Sequence, residues 1–314
     1  MQSVYRGTMD FRQLESFVRV VELASYTRAA MLMRVTQPSL SRQIRQLEVE
    51  LGQTLLYRTG RGATPTDAGK CLLEHAYAVL EVVNRAKSAL NDHGKEVSGR
   101  VVVGMPPRVA RTLATPLVNA FLSLNPKASI TVTEGLSTVL EEWLIAGRLD
   151  IALLYDPSNA NQLFLESMWR ESMVLVGARK RMTKTGSSIK FSQLAEYPLV
   201  LPPVPNATRI LAESTARRAS IHLNVVAEID TIQSILELVS TGAAYGFVPE
   251  GITTANAERL GLGVARVTAP VVRNSLMLAT ARHHPSTRVA TATYELMKKL
   301  DYAALGGERQ TSLN

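Results

Sequence analysis

The chain has 314 residues, 46% hydrophobic and 20% charged, with a net charge of +8, the composition of a soluble globular protein with room for more than one domain. Its apolar runs are short and broken by charge or glycine and its N-terminus lacks a secretory pattern, so a bilayer span is excluded and a cytoplasmic location expected. Cys71 is the only cysteine, which rules out an internal disulfide and a cysteine-rich metal site.

Residues 1–8 are expected to be a loose leader, with the fold starting near Met9. A helix over 10–24 places Phe11, Leu14, Phe17, Val18 and Val21 on one face. The stretch from Ser25 to Gly52, SYTRAAMLMRVTQPSLSRQIRQLEVELG, reads as two short helices joined by a tight break at 34–36. Ser25 caps the first, and Ala29, Ala30 and Met33 give it a small apolar face that a neighbour can approach closely. The second opens at Gln37-Pro38, where proline gives up only an amide without an intrahelical partner. Leu40, Ile44, Leu47 and Leu51 then face inward at helical spacing. Gln37, Ser39, Ser41, Arg42 and Arg45 are left outside, hydrogen-bonding side chains suited to base edges in a major groove. An ordinary solvated helix pair would show a similar face, and the residue types alone favour that plainer reading. The charge is nonetheless uneven. Residues 1–65 hold nine basic side chains, all arginine, against five acidic ones. Arginine's planar fork pairs with guanine edges and phosphates.

Leu55 to Arg58 and Ala63 to Pro65 flank the turn 59–62, which suits a two-stranded wing with Arg61 at its tip, placed for the minor groove or its phosphates. Thr66 caps a helix over 66–91, with Asp67 at its positive end. Its stripe of Leu72, Ala76, Val79, Val83, Ala86 and Leu90, widened by Leu73 and Leu80, either packs on its own domain or pairs with the same helix of a second subunit. Pairing is favoured, because reading two half-sites needs a two-fold partner.

The polar stretch NDHGKEVSG, 91–99, marks the domain boundary. Beyond it strands and helices alternate: RVVVGM, a helix over 108–124, SITVTE, a helix over 138–146 and DIALLY. A second unit brings ESMVLVGA, PLVLP, a helix over 208–219, LNVVAEI, a helix over 232–241 and YGFVP. NSLMLATA and a helix over 286–300 close the fold, and the tail 303–314 is expected to be disordered. The order predicts an α/β domain with a parallel sheet covered on both faces.

The helix break, the TQPSLSRQI core and the following LEVELGQTLLYRTGRGATPTDAG resemble the LysR-type transcriptional regulators, from about Met9 to about Asp301. Within that family GMPPRVARTLATPL, EGLSTVLEEWL and GRLDIALLYDP most resemble the nitrogen-assimilation-control group and its aromatic-catabolism neighbours. The resemblance implies a winged helix-turn-helix at 9–65 and a dimerising linker helix at 66–91. It also implies a periplasmic-binding-protein-like effector domain at 92–302, with subdomain I at about 100–162 and 275–302 and subdomain II at about 163–274. It further implies double-stranded DNA with two-fold half-sites as partner, contact with RNA polymerase, and assembly as a homodimer or homotetramer. The DNA-contacting set is then Thr36, Gln37, Pro38, Ser39, Ser41, Arg42, Arg45 and Arg61.

No catalytic, cofactor or metal set stands out. The five histidines share no ligand spacing, Ser137 in GLSTV lacks a G-x-S-x-G elbow, and Asp150 and Asp156 lack an acid/base partner. A small-molecule effector is expected beyond the C-terminal ends of the strands, at Pro106, Pro107, Arg108, Ser137, Thr138, Pro202, Asn206 and Thr208. Ser137 and Asn206 serve equally well as plain helix caps. Many relatives carry a hydroxyl residue where this chain has Arg108. Arg108 therefore either holds an anionic ligand or bonds an acidic side chain across the cleft, which would leave a regulator independent of any effector.

Overall fold

The computed structural model describes residues 9–59, 62–91 and 97–306. The leader 1–8, the wing tip Arg61, most of the boundary segment and the last eight residues of the tail lie outside them. The chain divides into a smaller N-terminal unit, ending near residue 93, and a larger unit after it.

In the small unit α1 (Phe11–Leu23), α2 (Tyr26–Met33) and α3 (Gln37–Leu51) precede a hairpin of β1 (Leu56–Thr59) and β2 (Gly62–Pro65) and then α4 (Asp67–Asn91). Asp10 and Gln13 form a capping box that starts α1, and Ser25 caps α2. Both helices end in left-handed residues, Ala24 and Arg34, so the chain turns sharply without glycine, whereas α3 ends on Gly52 in the same conformation. Leu14, Phe17, Val18, Ala29, Ala30, Leu40, Ile44 and Leu47 are buried in one core, and the Ser16 hydroxyl donates to Gln43 at 2.7 Å, pinning α1 to α3. Leu51 was expected inward but is exposed, being in the last turn of α3 where the core has ended.

The stripe on α4 divides. Ala76 is buried in the core of the N-terminal unit, with Leu72, Leu73, Tyr77 and Leu80 packed against it, so these residues serve their own domain. Val79 and Val82 remain exposed.

The larger unit is two lobes on a mixed sheet of ten strands. In the first lobe β3 (Ser98–Met105) lies between β4 (Lys127–Glu134) and β5 (Ile151–Tyr155), all parallel, with α5 (Pro107–Leu124) and α6 (Ser137–Ile145) as crossovers. Parallel neighbours need such crossovers, and β3 from Val101 and β5 up to Leu154 are buried beneath them. The strand β6 (Leu163–Ala178) then runs through both lobes. After it come α7 (Arg179–Met182), β7 (Ser188–Lys190), a 3-10 turn (Phe191–Glu196), β8 (Leu199–Leu201) and α8 (Ala207–Arg218). The second lobe continues with β9 (Val225–Glu228), α9 (Ile232–Ser240), β10 (Tyr245–Pro249), α10 (Glu250–Asn256) and β11 (Leu262–Thr268). The chain returns on β12 (Arg273–Ala281) and closes with α11 (Arg288–Lys298) and a 3-10 turn (Tyr302–Leu305).

Three expectations are corrected here. The sheet is mixed, because β12 is antiparallel to both β5 and β6. The lobe boundary on β6 falls after Ser172, since β6 pairs with β12 up to that residue and with β10 from Met173. The tail was expected to be disordered from Ala303, but Tyr302 and Leu305 are buried, because the turn seats two large apolar side chains on the core of the first lobe.

Candidate DNA-binding face and ligand cleft

Thr36 is the N-cap of α3, its hydroxyl accepting from the Ser39 amide at 3.4 Å, and Pro38 sits in the first turn. With the apolar side of α3 turned inward, Thr36, Gln37, Pro38, Ser39, Arg42 and Arg45 are exposed and Ser41 is partly so. Residues 37–46 contain no acidic side chain. The first turns of α3 therefore offer donors, acceptors and two guanidinium groups without a carboxylate to repel a phosphate. The hairpin after α3 is braced by Glu48, which accepts from the amides of Leu55 and Leu56 at 2.8 and 3.3 Å.

In the larger unit the first turns of α5, α6, α8 and α9 surround a cavity of about 420 Å³, within the range of small-molecule sites. Of the residues expected at an effector site, Pro106, Pro107, Arg108, Ser137, Asn206 and Thr208 lie in its wall. Thr138 and Pro202 are not in its wall. The Pro202 carbonyl accepts from Arg209 instead, at 3.2 Å, and the Thr138 hydroxyl is buried without a partner among the described residues. The sequence reading missed Tyr155, Asp230, Gln233, Ile252 and Asn274, which reach the wall through folding.

Ser137 and Asn206 both work as structural groups. The Ser137 hydroxyl accepts from the Tyr155 amide at 3.0 Å, and Asn206 caps α8 by accepting from the Thr208 amide at 2.9 Å. Arg108 is engaged with both prongs. Nη1 and Nη2 meet the two carboxylate oxygens of Glu171, the second at 2.9 Å, while Nη2 also donates to the Leu305 carbonyl and Nη1 lies 3.5 Å from the Tyr155 hydroxyl. The Glu171 side chain has no exposed surface. Burial pushes its carboxyl above the usual carboxylate range, and Arg108, Asn274 and the Gly251 amide work against that shift. For Arg108 burial acts to lower the pKa, but Tyr155 and Glu171 more than offset it and the guanidinium stays charged. Burial and Glu171 likewise raise Tyr155, which stays neutral. An acidic effector held by Arg108 thus loses its principal donor, and the acidic partner lies on the first-lobe stretch of β6, in the same lobe as Arg108, not across the cleft as the other expectation had it.

A helix-turn-helix head with an uncharged-to-basic recognition face, followed by a two-lobed α/β domain with a cleft, defines a DNA-binding regulator. Residues 11–70 match the model for "Bacterial regulatory helix-turn-helix protein, lysR family", and residues 94–301 match "LysR substrate binding domain". The nitrogen assimilation regulatory protein nac of Escherichia coli K12 is 32% identical over 97% of this chain and 99% of its own length. The protein of the same name from Klebsiella aerogenes is 31% identical over 93% and 95%. Among solved structures, full-length CbnR in complex with its target DNA superposes with a TM-score of 0.64 at 23% identity, covering 93% of this chain and 99% of that one. A full-length OxyR from Pseudomonas aeruginosa superposes with a TM-score of 0.69 at 18% identity, covering 94% and 100%. The chain belongs to the LysR family. It is a DNA-binding transcriptional regulator with a C-terminal effector-type domain, and its relatives are regulators, not enzymes. No helix among the described residues is long and apolar enough to cross a membrane.

Proposed function

We propose that this protein acts in the cytoplasm as a homodimer or homotetramer, reading a two-fold operator and changing its output when a small molecule enters the cleft. The exposed, acid-free first turns of α3 carry the DNA part. Thr36, Gln37, Pro38, Ser39, Ser41, Arg42 and Arg45 meet the major groove, and Arg61, outside the described residues, is the further contact. Half-site spacing then follows from the two-fold axis of the dimer. The cavity between the lobes carries the effector part, because ligand occupancy there favours one lobe arrangement over another only through contacts that differ between them. Contact with RNA polymerase supplies the readout.

A second reading has one observation in its favour. Arg108 already holds Glu171 within the first lobe, so its guanidinium is engaged without any ligand, and on this reading the protein works without an effector. Binding-site selection from random duplexes with the full-length protein tests the DNA reading, which requires enrichment of two related half-sites. Thermal stability measured across a small-molecule panel tests the effector reading, which fails if no compound raises the melting temperature.

A further inference from the structure

The floor of the cleft contains a polar group that the protein itself leaves unused. Asn274 is only 4% exposed and lies in the cavity wall. Its side chain hydrogen-bonds Glu171, while its Oδ1 has no partner among the described residues. The orientation of the amide is fixed by chemistry, since a carboxylate charged beside Arg108 accepts only and must face the NH2 end. The carbonyl end is therefore a buried acceptor, and a buried acceptor without a donor is costly.

The charges around it point the same way. Arg108 is cancelled by Glu171, which leaves Glu134 and Asp230 against the single guanidinium of Arg111 in the wall. At three of the four helix starts around the cavity an amide that could meet an anion is already taken or missing. Asn206 takes the Thr208 amide, Thr231 takes the Ser234 amide, and Pro107 opens α5 with no amide hydrogen. Between these polar points the wall is apolar, built from Pro106, Leu136, Ile232, Pro249 and Ile252.

We infer that the cleft takes a small molecule with an apolar body and a neutral or cationic hydrogen-bond-donating head, a carboxamide or an ammonium group, seated on Asn274 Oδ1. The inference rests on the cleft being a ligand site. A carboxylate head would set its own lone pairs against the Asn274 carbonyl and its charge against the excess of acid in the wall.

Thermal shift of the full-length protein with three matched series of single-ring compounds, carboxamides, primary amines and carboxylates, provides the test. Members of a donor series are expected to raise the melting temperature, the carboxylates to leave it unchanged, and Asn274→Leu to abolish the donor response. Should Asn274→Leu fail to fold, the ranking of the three series on the wild type decides by itself. A shift from the carboxylates alone overturns the donor-head assignment while leaving the cleft a ligand site. A donor response that survives in folded Asn274→Leu overturns the seat on Asn274. Silence across all three series overturns this inference together with the effector reading.

Discussion

Arg108, in the first turn of α5, and Glu171, on the strand that runs through both lobes, form a two-pronged ion pair beneath the cleft, with the carboxylate wholly buried. Removing one partner of such a pair is far worse than never having built it, because the other charge is stranded. Arg108→Ser is expected to cost about 3 to 5 kcal/mol at neutral pH. Burial raises Glu171, so its charged form is held less readily in the folded chain than in the unfolded one and depends on Arg108. A raised carboxyl contributes best below the ordinary glutamate range, and that stability is lost as pH climbs from there through its raised folded value. The shortfall of Arg108→Ser should therefore be small where Glu171 is protonated in both folded and unfolded chains, and widen as pH rises. Denaturation followed over a pH series checks this, and a shortfall that shrinks with rising pH would contradict it. Glu171→Gln, which keeps the shape and leaves Arg108 with Tyr155 and Leu305, is expected to cost less.

Arg42 stands exposed on α3, nearly two turns beyond the cap at Thr36. A bidentate contact to a base edge is worth about 1 to 3 kcal/mol of discrimination. Arg42→Ala should weaken operator binding by that amount and flatten preference at one position per half-site, whereas a phosphate contact would weaken all sequences equally. Titration of specific and random duplexes at fixed salt separates the two outcomes.

Val79 and Val82 are exposed on α4, whereas Leu80 packs against the core of the N-terminal unit. The two classes should respond differently to charge. Leu80→Glu is expected to destabilise the DNA-binding head itself, by on the order of 1 to 3 kcal/mol. Val79→Glu combined with Val82→Glu should leave the fold within about 0.5 kcal/mol, as surface changes usually do, while splitting the dimer. Sedimentation that finds this double variant assembled as before would remove α4 from the subunit interface.

Gly251 is a packing requirement. A Cβ there would collide with the Leu305 carbonyl and lie 2.6 Å from the Gly306 carbonyl. Both contacts are backbone, so they yield only if the C-terminal turn moves. Gly251→Ala should lift Tyr302 and Leu305 off the first lobe at a cost of on the order of 2 to 3 kcal/mol. The Trp169 indole donates to Gly306 at 3.1 Å, so its fluorescence, read with Trp143 replaced by Phe, should change with the turn. An unchanged spectrum would mean that the turn has stayed in place.

The DNA-binding head was legible because its signals are local: the Thr36 cap, Pro38 in the first turn and the spacing of Leu40, Ile44 and Leu47 all lie within one short stretch. The alternation of strands and helices from Val101 to Tyr155 was legible for the same reason. The length of β6 was not, since FLESMWRESM mixes charges with apolar residues and shows no clean alternation. The strand β11, LGVARVT, carries an exposed arginine and escaped notice. In the cleft, residues at helix starts were found by rule, but Asn274 and Tyr155 arrive from strand ends far away in sequence. A signal for the ion pair did exist. Arg108 follows two prolines at a predicted helix start, and Glu171 opens an apolar run, so each was a charge about to be buried and in need of a partner. Pattern reading names such residues without saying which meets which.

The docked turn at Tyr302–Leu305 has a practical side. Arg108 and Trp169 bond the carbonyl groups of Leu305 and Gly306, and Gly251 packs against both. A reporter attached to the turn itself, at the exposed Ala303 or Ala304, therefore sits close to the arginine beneath the cleft. Its signal would follow any loosening of the turn while the cavity wall is untouched. Comparing reporters at those two positions with the unlabelled chain measures how firmly the turn is seated.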